Sequence, residues 1–235
     1  SCSFGRMPAN GLVYQAPNTC QCYSQVRGFV AFTADASAAD REGELRGSKL
    51  LLQGPGKPAD ETPSPEDWPM LRRDPARHGS TPTVLPEELK PTWQSDLGGR
   101  LSSPVVACGK VFVSSIDDHR VIAVDAKSGE TVWSHRANGR VDSPPTIHAG
   151  MAIFGCRDGW VYCVSSATGE LIWRLRAAPR QRWLMCRDQV ESAWPVNGSV
   201  LVEDGKAYFA AGRHSDTDGG LLIYAVSPDT GDILW

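Results

Sequence analysis

The chain has 235 residues, 41% of them hydrophobic, with 24 basic and 27 acidic side chains and a formal net charge of -3. That is enough apolar mass for a substantial core, and the near-neutral balance supplies no electrostatic footprint for nucleic acid or an anionic membrane. No run of about 18 apolar residues exists to span a bilayer as a helix. The seven cysteines are an odd number and lean toward an oxidising compartment with at least one thiol left free. Because the chain starts at Ser1 and stops at Trp235 inside a repeating pattern, it is expected to be a piece of a longer protein.

Residues 1–33 read as part of one sheet. "ANGLVYQAP" (9–17) and "RGFVAFTAD" (27–35) have strand character, and "NTCQCYSQV" between them enlarges a hairpin that carries Cys20 and Cys22. A haem attachment is excluded by spacing, since Cys-x-x-Cys-His is needed. A structural zinc would need a fourth ligand beyond Cys2, Cys20 and Cys22. The expected arrangement is a disulfide from Cys2 to Cys20 or Cys22 that pins the loop. Residues 34–86 read as an insertion, and its stretch "GPGKPADETPSPEDWP", with five prolines, as an extended linker rather than a packed element.

Residues 87–235 carry an internal repeat. Residues 99–133, "GRLSSPVVACGKVFVSSIDDHRVIAVDAKSGETVW", align without gaps on 139–173, "GRVDSPPTIHAGMAIFGCRDGWVYCVSSATGELIW", at an offset of 40. A third copy ends on Trp235, and Trp93 lies one period before Trp133. The units run from about 99 to 138, 139 to 178 and 196 to 235, with an insert at about 174–195. Each unit reads as short β-branched and aromatic strands: "SPVVA", "KVFVSS", "VIAVDA" and "ETVWSH" in the first. Asp204-Gly205 suits a tight hairpin, and Gly129, Gly169 and Gly231 each close a turn needing a left-handed residue. Four antiparallel strands per 40 residues make a β-propeller blade; a single blade cannot bury both faces, and the Trp once per unit fills the joint between blades. The fold class is therefore all-β, a partial β-propeller of about three to four blades.

The segments "AVDAKSGETVW" (123–133), "CVSSATGELIW" (163–173) and "AVSPDTGDILW" (225–235) resemble the tryptophan-docking repeat of the pyrroloquinoline-quinone (PQQ) propeller superfamily. In that pattern a small residue and Asp precede Thr-Gly, with Trp at a fixed distance. Asp125 matches, whereas Ser165 and Ser227 depart from it. "DWPMLRRDPARHGST" (67–81) is similar to a lead-in segment of bacterial members. The superfamily includes quinoprotein alcohol dehydrogenases and the non-catalytic BamB-type scaffold. The resemblance implies structural docking roles for Trp93, Trp133, Trp173, Trp235, Gly129, Gly169 and Gly231, and a periplasmic or other extracytoplasmic location.

The dehydrogenases hold PQQ near the propeller axis against adjacent cysteines, with calcium bound by acidic and amide groups. No adjacent Cys-Cys occurs here, and no catalytic, cofactor or metal residue is carried over. Asp216 and Asp218 in "HSDTDGG" lack the further oxygens of a calcium loop, and the five histidines show no metal spacing. Cys108, Cys156 and Cys163 are expected as buried strand residues; Cys186, among arginines, is the thiol to watch. The contact elements expected are the cysteine hairpin, the Arg-rich insert with Arg180, Arg182, Trp183 and Arg187, and the loop with Arg213 and His214. The resulting expectation is a non-catalytic propeller with no cofactor, binding protein or another macromolecule through its faces, and not nucleic acid. The alternative is a PQQ- and calcium-dependent oxidoreductase with catalytic residues partly outside this chain. A third option is a carbohydrate-binding propeller, because exposed Trp and Arg suit acidic polysaccharides.

Overall fold

A computed structural model describes residues 6–10, 12–15, 30–33, 50–186 and 189–235. Every regular element in it is a strand, as the β-branched and aromatic runs require. Near the N-terminus β1 (Arg6–Ala9), β2 (Leu12–Gln15) and β3 (Val30–Thr33) form an antiparallel sheet in that order. The disulfide expected of Cys2 with Cys20 or Cys22 lies outside the described residues, as does Arg187.

The repeat forms three successive sheets. The first is β5 (Val105–Ala107), β6 (Lys110–Ser115), β7 (Arg120–Asp125) and β8 (Thr131–Arg136). The second is β9 (Thr146–His148), β10 (Met151–Gly155), β11 (Trp160–Ser165) and β12 (Leu171–Arg176). The third is β15 (Leu201–Glu203), β16 (Lys206–Ala211) and β17 (Leu222–Val226), extended by a bridge from Val226 to Ile233. Both complete sheets carry a bulge after the residue facing the Trp, at Ala123/Val124 and at Cys163/Val164.

The middle sheet is covered on both faces, so all of β10 is buried and its alternate residues serve different cores. Ala152 and Phe154 join Phe112, Val121 and Trp133 of the first sheet, while Met151 and Ile153 join Val202, Phe209 and Val226 of the third. β16 alternates between buried and more open positions, the mark of one covered face.

One contact recurs at each joint. Trp93 lies on Gly129, Trp133 on Gly169 and Trp173 on Gly231, so close that an added Cβ would sit 2.5, 2.7 and 2.8 Å from the respective rings. The three indole N–H groups donate to the carbonyls of Ala126, Ser166 and Pro228, at 2.9, 3.0 and 2.8 Å. Each glycine is left-handed, with φ of 74, 72 and 79°. Trp235 is 62% exposed and tilts on Tyr208, ring centroids 6.2 Å apart.

The Pro-rich segment differs from the expected linker: it is fastened to the sheets. β4 (Leu51–Gln53) adds to β12 as a fifth strand, and the N–H groups of Gly54 and Gly56 continue the pairing to Ile172 and Leu171 at 2.7 and 2.8 Å. The chain then crosses the turn side, where Ala59 N–H donates to Gly150 at 3.0 Å and Glu61 accepts from Lys110 and Ser166 at 2.8 and 3.0 Å. It ends along the first strands. Trp68 and Val106 exchange two backbone bonds of 2.7 and 2.9 Å, Pro69 accepts from Ile147 at 2.7 Å, and Arg77 donates to Ser199 at 2.9 Å. Prolines do not prevent this, because most of these bonds use the carbonyls or N–H groups of their neighbours.

Gly150 is where this strap comes closest. Its φ is +72°, and a Cβ there would lie 1.9 Å from the Ala59 carbonyl oxygen. Gly150→Ala is therefore expected to destabilise the chain by about 2 kcal/mol and to speed proteolysis between residues 54 and 67. An unchanged cleavage pattern on limited proteolysis would mean that the strap does not hold there.

Candidate functional site

The 40-residue period breaks between β12 and β15, and the inserted residues form a hairpin of β13 (Trp183–Cys186) and β14 (Gln189–Ser192), paired from Trp183↔Ser192 to Cys186↔Gln189. What seats it is Glu191, which is 0% exposed. A buried carboxylate needs charged partners, and three arginines surround this one. Arg157 Nη1, from the β10–β11 loop, donates at 2.9 Å; Arg213 Nη2, from the β16–β17 loop, donates at 2.6 Å; Arg140, before β9, stands 3.7 Å away. Arg140 is itself 2% exposed and faces Asp117 and Asp142 at 3.2 and 3.4 Å. Arg157 also bonds Asp142. Burial alone would lower the Arg157 pKa, but the Asp142 and Glu191 carboxylates leave it above its ordinary value.

Backbone contacts complete the seat. Ser192 N–H donates to Arg157 at 2.8 Å, and Arg213 also donates to the Ser192 carbonyl at 2.9 Å. His119 and Gln189 side chains meet at 2.8 Å, which ties the hairpin to the first sheet as well. Loops of all three sheets thus converge on the insert.

Between the insert and the end of the second sheet lies a cleft of about 290 Å³ whose walls include Asp158, Trp160, Arg176, Arg180, Arg182 and Trp183. Its cations are held in place by neighbours. Arg180 lies 5.2 Å over the Trp194 ring, Arg182 pairs with Asp218 at 2.5 Å, and the Trp194 indole N–H donates to the Asp218 carbonyl at 2.8 Å. Arg174 lies 4.7 Å over Trp160. Burial raises the Asp158 pKa above its ordinary value, although Tyr162 O–H at 2.5 Å and Trp160 N–H at 3.0 Å bond its two oxygens. Burial and the same carboxylate push the Tyr162 hydroxyl far up.

Of the residues nominated from sequence, Arg180, Arg182 and Trp183 come together in this cleft. Arg213, expected on a contact loop, is an internal anchor: its side chain is 6% exposed and bound to Glu191. His214 sits beside Asp216, 3.7 Å away. Cys163 is a buried strand residue, but Cys108 and Cys156 are corrections to the sequence reading. Cys108 is a half-buried turn residue with φ 52°, and Cys156 lies in the β10–β11 loop. Cys186 ends β13 and is buried. Burial raises the Cys156 and Cys163 thiols well above their ordinary value. Sequence reasoning missed Glu191, Arg157 and Asp142. One signal was present, since Arg140 repeats Arg100 at the offset of 40, and Arg100 pairs with Asp117 in the same region at 3.2 Å.

No curated protein matches the chain. Among solved structures it is similar to a quinohemoprotein alcohol dehydrogenase from Pseudomonas putida HK5, at 18% identity and a TM-score of 0.58 over 73% of this chain and 26% of that one. A quinohemoprotein alcohol dehydrogenase from Comamonas testosteroni matches at 21% identity and 0.58, over 86% of this chain and 30% of that one. A europium-containing methanol dehydrogenase matches at 16% identity and 0.58, over 83% and 33%. The chain thus spans a third or less of the length of these structures, and the likeness is one of fold. The family model described as outer membrane protein assembly factor BamB matches residues 87–235, and the chain belongs to this family of PQQ-like repeat propellers.

Proposed function

We propose that this chain is a non-catalytic binding module of the bacterial envelope, acting outside the cytoplasm, which takes a protein or another macromolecule on the face that carries the insert. The observation that carries this reading is the seating of the insert. A hairpin that interrupts the repeat is held by a buried carboxylate and arginines from two other loops, and it presents Trp183, 44% exposed, beside Arg182. A rigid aromatic next to a cation is the usual anchor of a binding surface. The printed name of the family model, an assembly factor of the outer membrane, supports the envelope location and a macromolecular partner.

The names of the dehydrogenase neighbours raise a quinone and calcium as the competing reading. The residues where the first strands converge do not fit that group. Trp68 and Pro69 occupy this edge, bonded to Val106 and Ile147, and among the described residues no three acidic, His or Cys side chains gather to hold a metal ion. No chemical step is assigned to a quinone here. Cross-linking of the full chain to solubilised envelope tests the proposal. A defined partner should be retained, and Arg182→Ala/Trp183→Ala should retain at least tenfold less with an unchanged circular dichroism spectrum. Equal retention by the variant, or alcohol oxidation with added PQQ and calcium, would count against it.

A further inference from the structure

We propose that the cleft beneath the insert binds a uronate ring, the carboxylated sugar unit of an acidic polysaccharide. This inference rests on reading the chain as a binding module, and it names the chemistry of the ligand.

Three features of the cleft converge on that ligand. The first is charge. Arg176, Arg180 and Arg182 stand against a single carboxyl in the walls, that of Asp158, which is buried with both oxygens already bonded by Tyr162 and Trp160. The cleft therefore favours an anion. Arg182 spends one nitrogen on Asp218 while its side chain remains 53% exposed. A guanidinium has five donors in a planar fork, so a carboxylate can still be taken by the others, side by side.

The second feature is the apolar wall. Trp160, Trp183, Leu52 and Ala178 line the same space. An indole face suits the C–H face of a sugar ring, whereas a bare inorganic anion would leave that surface wet. The third is size. About 290 Å³ lies at the small end of ligand sites, which run from about 300 to 1,000 Å³, and it suits one or two sugar rings better than a folded partner's loop. The cations are also pre-positioned, since stacking on Trp194 fixes Arg180 and the Asp218 pair fixes Arg182, so little ordering remains for binding.

The test is titration of the full chain with trigalacturonate, its methyl ester and inorganic phosphate at one ionic strength, followed by calorimetry and tryptophan fluorescence. Trigalacturonate should bind with one-to-one stoichiometry, and its ester at least tenfold more weakly. Trp183→Ala and Arg182→Ala should each weaken binding at least tenfold; Arg182→Lys, which keeps the charge and loses the fork, should recover only part of it. Equal affinity for the ester, competition by phosphate at equal concentration, or unchanged affinity in the variants would overturn the proposal. If trigalacturonate fails to bind while envelope capture still depends on Trp183, the sugar assignment falls and the binding module stands. If both fail, both readings fall.

Discussion

Glu191→Ala is expected to destabilise the chain by about 3–5 kcal/mol, the cost of breaking a buried charge pair by removing one partner. The reason is what remains. Arg140, Arg157 and Arg213, with side chains 2%, 13% and 6% exposed, would keep their charges without the carboxylate at their centre. Asp142 still serves Arg157 and Arg140, but Arg213 would be left with only the Ser192 carbonyl. For a domain of this size that is a fall of roughly 10 °C or more in the melting temperature. Glu191→Gln separates charge from shape, because the amide oxygen still accepts one bond while the ionic attraction is lost. Its loss should lie between wild type and Glu191→Ala. Thermal and urea unfolding measure both, and a change under about 1 kcal/mol in the alanine variant would show that water or rearrangement replaces the cluster.

Trp173→Ala should be comparably severe, at about 3–5 kcal/mol, the range for removing a large buried aromatic. Trp173 is 0% exposed and touches two neighbours at once. Its ring covers Gly231 of the next repeat, and its N–H donates to the Pro228 carbonyl at 2.8 Å, so truncation opens the joint between the second and third sheets. Trp173→Phe tests the division of labour. It keeps most of the apolar contact and drops the donor, and the expected loss is about 1–2 kcal/mol for an unpaired buried carbonyl. Near-wild-type unfolding of Trp173→Ala would mean that the sheets adhere through other contacts.

Much of this was legible because it is local or periodic. The strands of the first unit fall where the alternating β-branched runs put them, and the Thr-Gly and Ser-Gly turns have left-handed glycines at Gly129 and Gly169. The tight turn at Asp204-Gly205 was readable because Asp tolerates positive φ. Cys108-Gly109 and Ala149-Gly150 make the equivalent turn, with φ of 52 and 71° and of 44 and 72°, but Cys and Ala carry no such local signal. The strap was misread because a Pro-rich composition reports the absence of a self-contained element and says nothing of docking to an existing sheet edge. Strand β4 is only three residues long. The Glu191 cluster was hidden for a related reason: its members come from four separate loops, and a lone Glu among arginines reads as an ordinary solvated residue until topology joins them.

The strap has a consequence for how the molecule opens. Stacked repeats ordinarily behave as a one-dimensional array, each unit coupled only to its neighbours and able to fray from an end. Here one covalent segment grips the last strand of the second sheet, the turn sides of the first two, the first strands of both, and Ser199 at the entrance to the third. No single sheet can detach without releasing bonds that also hold another. The array is thereby converted into a cooperative unit in which amides of different sheets exchange at a common free energy. Closing contacts as far apart in sequence as Arg77 and Ser199 also slows assembly, so this cooperativity comes with a late step in folding.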